Sequence, residues 1–189
     1  MGRLRRTLTK PLVVGLLLAG LVAGGAGLYW FQPWKLWVDE TVQDADPAAA
    51  ASSKAPPAEA PEESESAQPP APKDLATGDF ITHEHATSGS VRVIERPDGS
   101  RVLRLENLDT SNGPDLRVWV TDAPVKEGRA GWKVFDDGKY RELGKLKGNK
   151  GSQNYELPAD VDLDTYGSVS IWCKRFAVSF GAAELAVRS

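Results

Sequence analysis

The chain carries one cysteine, Cys173, and two histidines, His83 and His85. A lone thiol cannot close an internal disulfide. It packs as a small hydrophobe, bridges to another chain, or does chemistry. Cys173 ends the apolar run Val169-Ser170-Ile171-Trp172-Cys173. In a strand it shares a face with Val169 and Ile171, which is the face a core covers. Packing is the plain reading of that position. Two cations argue against it. Lys174 follows directly, and Arg175 falls on the same face two residues on. Cations beside a thiol favour the reactive thiolate. His83-x-His85 on an extended segment puts both rings on one side, a spacing that metal sites use and exposed loops also contain.

Weaker constellations have simpler readings. Asp109, Asn112 and Asp115 offer oxygens to a calcium ion, but Asn112-Gly113-Pro114-Asp115 is first a turn. Lys145, Lys147 and Lys150 alternate with Gly144, Gly148 and Gly151 without the order of a phosphate loop, so a solvated turn is the expectation. The chain has no Cys-x-x-Cys, no Cys-x-x-Cys-His, no Gly-x-Ser-x-Gly and no Gly-x-Gly-x-x-Gly. Covalent c-type haem, a dithiol cycle, a hydrolase elbow and a dinucleotide fingerprint are thereby excluded.

Strands must position these residues. Alternation predicts strands at 90–95, 101–106, 116–120 and 169–173, with further strands at 176–180 and 183–187. Asp98-Gly99 between the first two is a hairpin signal. Leu116, Val118 and Val120 point inward, which leaves Trp119 on the other face, exposed or covering a second layer. The stretches 109–115, 136–138 and 144–152 read as turns. No run has clean helical period, so residues 77–189 are expected to form an all-β antiparallel sandwich or barrel-like domain.

What precedes it has different physics. Residues 11–31, PLVVGLLLAGLVAGGAGLYWF, are apolar and uncharged, long enough for one transmembrane helix. Arg3, Arg5, Arg6 and Lys10 precede the run, acids begin at Asp39, and Tyr29, Trp30, Phe31, Trp34 and Trp37 crowd its far end. Residues 1–38 thus read as a cytoplasmic basic stub, a membrane span and an aromatic belt, with the rest extracytoplasmic. An uncleaved single-pass anchor is favoured over a signal peptide because bulky aromatics follow a long apolar run. Residues 39–76, rich in Ala, Pro and Glu, are expected to be a disordered tether holding the domain on the order of 35 Å from the membrane. The lipid bilayer is the expected partner. Opposite charges nearly cancel in the folded part, so nucleic acid is not a partner.

Gly78, Phe80, His85-x-x-Ser88-Gly89, Gly113-Pro114-Asp115, Leu157-Pro158 and Trp172-Cys173-x-x-Phe176-x-Val178-x-Phe180-Gly181 together resemble the electron-transfer DM-thirteen (DM13) domain. The likeness runs from about Thr77 to Val187. The insert 143–151 with Gln153-Asn154-Tyr155 is similar to the bacterial branch. The resemblance implies an all-β fold. It further implies a redox role for Cys173, as a naked thiol or as a ligand to a prosthetic group, with His85 as the matching histidine. Haem iron and copper are the groups such a pair could ligate, and the sequence requires neither. The functional expectation is a membrane-anchored, extracytoplasmic redox or electron-transfer accessory domain with a redox partner protein. The alternative is a non-catalytic cell-surface binding or adhesion module, to which Trp119 and Trp132 would contribute.

Overall fold

Alternation builds the strands it predicts. The computed structural model describes residues 11–48 and 71–188. Helix α1 spans Pro11–Phe31, and the short 3-10 turn Pro33–Trp37 follows. The strands are β1 (Thr41–Gln43), β2 (Lys73–Thr82), β3 (Ser88–Glu95), β4 (Arg101–Asp109), β5 (Leu116–Thr121), β6 (Tyr140–Lys145), β7 (Lys150–Leu157), β8 (Ser168–Cys173), β9 (Val178–Glu184) and β10 (Ala186–Val187). They hydrogen-bond in the order β1-β7-β4-β3-β2-β9-β8-β5-β6, with β10 added beside β2. β2 pairs with β3 along its first part and with β9 along its last, and so carries the sheet round a bend. Register shifts in β2–β3, β3–β4, β4–β7, β5–β6 and β8–β9 curl it further into a half-barrel.

The inner face holds the main core. Leu103, Leu105, Val118, Val120, Val169, Ile171, Cys173 and Phe180 meet there. On the outer face of β5, β8 and β9 a second cluster forms from Trp119, Trp172, Phe135, Ala123 and Ala182, covered by the excursion between β5 and β6. Trp119 is therefore 3 % exposed and covers a second layer. It offers no surface to a partner.

Three sequence expectations need correction. The sheet is mixed, because β1 runs parallel to β7. The stretch 144–152 is not one turn but the end of β6, a short connection and the start of β7. Residues 176–180 divide between a turn and β9, while 183–187 divide between β9 and β10. The fourth finding changes the architecture. Both flanks of the expected tether are strands: residues 41–43 lie in β1, and β2 begins at Lys73. Residues 32–40, which include the short 3-10 turn, are all that separates α1 from β1, so the sheet begins close to the helix end. The interior of that tether, 49–70, and the basic stub, 1–10, lie outside the described residues.

The docking of residues 38–46 is densely bonded. The Asp44 amide donates to the Ser152 carbonyl at 2.8 Å, and the Lys150 amide to the Glu40 carbonyl at 3.1 Å. The Glu40 amide donates to Asn149 Oδ1 at 2.7 Å. Asp39 pairs with Lys150 at 3.0 Å and Asp44 with Lys147 at 2.7 Å. Arg104, on the outer face of β4, donates to the carbonyls of Asp44 and Ala45. Gly148 and Gly151 make the approach feasible. A Cβ on either would lie 2.4 Å from the Glu40 carbonyl oxygen or 2.1 Å from that of Val42.

Candidate functional site

Cys173 closes β8, with Leu116 of β5 and Val178 of β9 as its Cα partners. It is fully buried. The chain then turns through residues 174–177, and Ala177 adopts a left-handed φ of 49°. That conformation is uncommon for a residue with a Cβ. Backbone bonds pin both sides of the cysteine. The Phe176 amide donates to the Cys173 carbonyl at 3.2 Å, and the Lys174 amide to the Asp115 carbonyl at 3.0 Å.

Burial pushes the Cys173 thiol pKa up. The backbone N–H groups of Phe176, Arg175 and Asp115 oppose that rise, while the charge of Glu84 adds to it. The thiol is protonated at neutral pH. This reverses the expectation from Lys174 and Arg175, and the reason is geometric. Strand parity ends where the chain turns. Lys174 reaches out to Glu142 at 3.2 Å. Arg175 lies over the Trp30 ring, 5.3 Å from its centroid, and donates to the carbonyls of Tyr29 and Trp30. Carbonyls at a helix C-terminus lack intrahelical partners and attract cations.

The two histidines part company. His83 is buried, its Nδ1 2.8 Å from Ser179 Oγ and its Nε2 3.0 Å from the Lys126 carbonyl. The carbonyl can only accept, so Nε2 carries the proton and Nδ1 accepts from Ser179. His83 is a core residue beside Phe135. His85 instead lies against Phe180, ring centroids 4.0 Å apart and planes inclined by 37°, and its ring nitrogen comes within 3.9 Å of Glu84. Burial lowers the pKa of both rings; the Glu84 charge opposes the shift at His85.

His85 lines a cavity of about 290 Å³ between the end of α1 and the sheet, with Phe31, Leu36, Pro114, Phe176 and Phe180 as its apolar walls. Phe31 and Phe176 stack at 5.7 Å. A second cavity, about 430 Å³, lies beyond Phe176 and is lined by Arg129, Trp132 and Val178. Glu84 and Phe176 border both. Cys173 lines neither. A further cleft, about 640 Å³, lies around Asp79, Arg92 and Glu106, has a lining of mixed polar and apolar character, and includes neither Cys173 nor His85.

These residues do not make a haem or copper site as they stand. Cys173 is fully buried and lines neither cavity, so its sulfur does not face His85. Among the described residues, no three of His, Cys, Asp and Glu come together to hold a metal ion. The oxygen trio also disperses: Asn112 is bonded to the Val38 carbonyl and the Gly113 amide, and Asp115 pairs with Arg117 at 2.7 Å. Lys147 and Lys150 bind the carboxylates of Asp44 and Asp39, not an outside anion. The residues that sequence reasoning missed are Phe31, Leu36 and Glu84, which topology alone brings to Phe176.

No curated protein and no solved structure matches the chain. The family described as electron transfer DM13 matches residues 79–185, more than half of the chain. The matched span includes both Cys173 and His85 and strands β3 to β9, and it leaves out α1 and β1. The chain therefore belongs to the electron transfer DM13 family.

Proposed function

We propose that this protein is a single-pass, membrane-anchored electron-transfer accessory domain, held outside the cytoplasm by α1, with Cys173 as its redox centre. The family supports the electron-transfer role. The length and composition of Pro11–Phe31 support the anchor. The order of bases before it and acids after it supports the orientation.

One observation carries the assignment to Cys173. The lone thiol of the chain is fully buried at the end of β8, and the 174–177 turn that follows it carries Phe176 between two cavities. The backbone N–H groups of Phe176, Arg175 and Asp115 pull the thiol pKa down against the effect of burial. Phe176 is the gate on this reading, and His85 with Glu84 is the polar pair beside it. The surface-binding alternative loses Trp119, which is buried and stacked, and keeps only the half-buried Trp132.

The test is oxidation of the full chain in detergent by hydrogen peroxide. The peroxide O–O bond breaks, sulfur gains one oxygen as sulfenic acid, and water leaves. Mass spectrometry after sulfenic-acid trapping reads the product. Wild type should react slowly but faster than it unfolds globally, and Phe176→Ala should react at least about ten-fold faster, as removal of a lid allows. Reaction only at the rate of global unfolding, in both proteins, would leave Cys173 as packing.

A further inference from the structure

Cys173 is buried, yet the residue before it connects to the surface through aromatic rings. Trp172 is 1 % exposed and stacks on Trp119 with centroids 5.1 Å apart and planes inclined by 25°. Trp119 stacks in turn on Tyr140, at 4.0 Å and 6°. Tyr140 is 46 % exposed. Trp119 and Tyr140 lie on neighbouring strands, and so do Trp119 and Trp172, so the column crosses β6, β5 and β8. Indole and phenol are the side chains, apart from thiols, that proteins oxidise by one electron. Tunnelling falls exponentially with distance, and rings in contact exchange an electron readily.

Packing alone explains a stack of aromatics. Two indoles have a buried Nε1 without a hydrogen-bond partner among the described residues, Trp119 in the stack and Trp132 outside it. Leaving such an N–H unpaired costs about 1–3 kcal/mol. Within the stack it has a redox consequence. An oxidised indole is strongly acidic at nitrogen. With a base beside it, the indole loses its proton and the hole is trapped. With none, the proton stays and the hole moves on.

We infer that Tyr140, Trp119 and Trp172 form an electron path from the protein surface to the residue next to Cys173. The path rests on the redox reading of Cys173 for its purpose, though not for its existence. The terminal acceptor is an outer-sphere one-electron oxidant at Tyr140. It gains one electron and is reduced. Trp119 supplies that electron, and Trp172 refills Trp119. The net product of these transfers is a Trp172 radical cation, and no bond forms or breaks in the transfers themselves.

The experiment attaches a ruthenium photosensitiser at Lys139→Cys, in the exposed turn beside Tyr140. The full chain is then flash-oxidised, with transient absorption and electron paramagnetic resonance read-outs. A tryptophan radical should appear in the parent protein. Trp119→Phe keeps an aromatic ring in the stack. It should cut the tryptophan-radical yield at least about ten-fold and leave the hole on Tyr140, with thermal melts confirming the fold. An unchanged yield in Trp119→Phe, or no tryptophan radical in the parent, overturns the path. Cys173→Ala separates the two ideas. If Cys173 feeds the path, its loss lengthens the life of the radical. A radical whose life is unchanged leaves the path standing and removes Cys173 as its donor. Peroxide oxidation of Cys173 without any photogenerated tryptophan radical removes the path and leaves the thiol chemistry standing.

Discussion

Gly148→Ala isolates the contact that joins the sheet to the helix end. The backbone of Gly148 is not in the left-handed region, so alanine carries no conformational penalty there. Its Cβ would nevertheless sit 2.4 Å from the Glu40 carbonyl oxygen and 2.8 Å from Val42 Cγ2. Backbone atoms cannot swing aside as a flexible side chain does, so the 39–43 segment must move. Movement there threatens the Lys150 amide bond to Glu40, the Glu40 amide bond to Asn149, and the Asp39 contacts to Asn149 and Lys150. Neutral hydrogen bonds contribute about 1 kcal/mol each and an exposed ion pair less than that. Local opening should therefore become easier by about 2–3 kcal/mol, which is about 30- to 150-fold in opening equilibrium. Hydrogen exchange of the full chain reads this directly. Amides of Thr41–Gln43 and their β7 partners should exchange faster by that factor, while β3 and β4 keep their protection. Gly167→Ala, where a Cβ meets nothing within 4 Å, should change neither. Equal acceleration across the sheet, or none at β1, would refute the idea that a separable edge strand docks the domain to α1.

Other perturbations report on different layers. Phe135→Ala removes a fully buried ring that meets Trp172 edge-on, and should cost about 3–5 kcal/mol in denaturant titrations. Arg175→Ala should barely alter the melting of the sheet, since an exposed guanidinium contributes less than about 1 kcal/mol. It should shift the emission of Trp30, whose ring it covers. Both histidines have folded pKa values below 6.5, so the unfolded chain binds protons first as pH falls. Stability should be full above pH 6.5 and decline below it, towards the folded values, and His83→Gln should flatten that decline. A slope of the opposite sign, or none, would contradict the burial of His83.

Strands with strict alternation were legible. β3, β4, β5 and β8 follow their apolar periods, and Asp98-Gly99 makes its hairpin, with Gly99 at a φ of 81°. β6 and β7 were not, because Gly144, Gly148 and Gly151 look like turn residues. Two of those glycines mark where another backbone approaches closely, which local sequence cannot reveal. β1 is three residues, Thr41-Val42-Gln43, inside an acid-rich stretch, and its pairing with β7 is wholly long-range. At the site, parity placed Cys173 in the core correctly. The same rule misplaced Arg175, because the strand had ended. It also could not separate His83 from His85, whose surroundings come from Ser179, Lys126 and Phe180, far along the chain.

Successive strand residues face opposite sides of a sheet, and this gives Cys173 and Trp172 different neighbours. Oxidising a protonated thiol requires both an electron and a proton to leave. The electron can tunnel through packed rings, so its route needs no opening and no water. Trp172 offers such a route on the outer face, through Trp119 to Tyr140. A proton moves only between hydrogen-bonding groups, and Trp119 Nε1 has no partner among the described residues, so the indole stack itself carries none. Glu84 and His85 both border the cavity beside Phe176. Motion of the 174–177 turn would therefore govern proton loss while leaving the electron path untouched. On that division, Phe176→Ala should speed the decay of a Trp172 radical refilled by Cys173, without changing how fast the radical forms. Slower formation instead would mean that the turn and the aromatic column are a single mechanical unit, and that the two faces of β8 do not act separately.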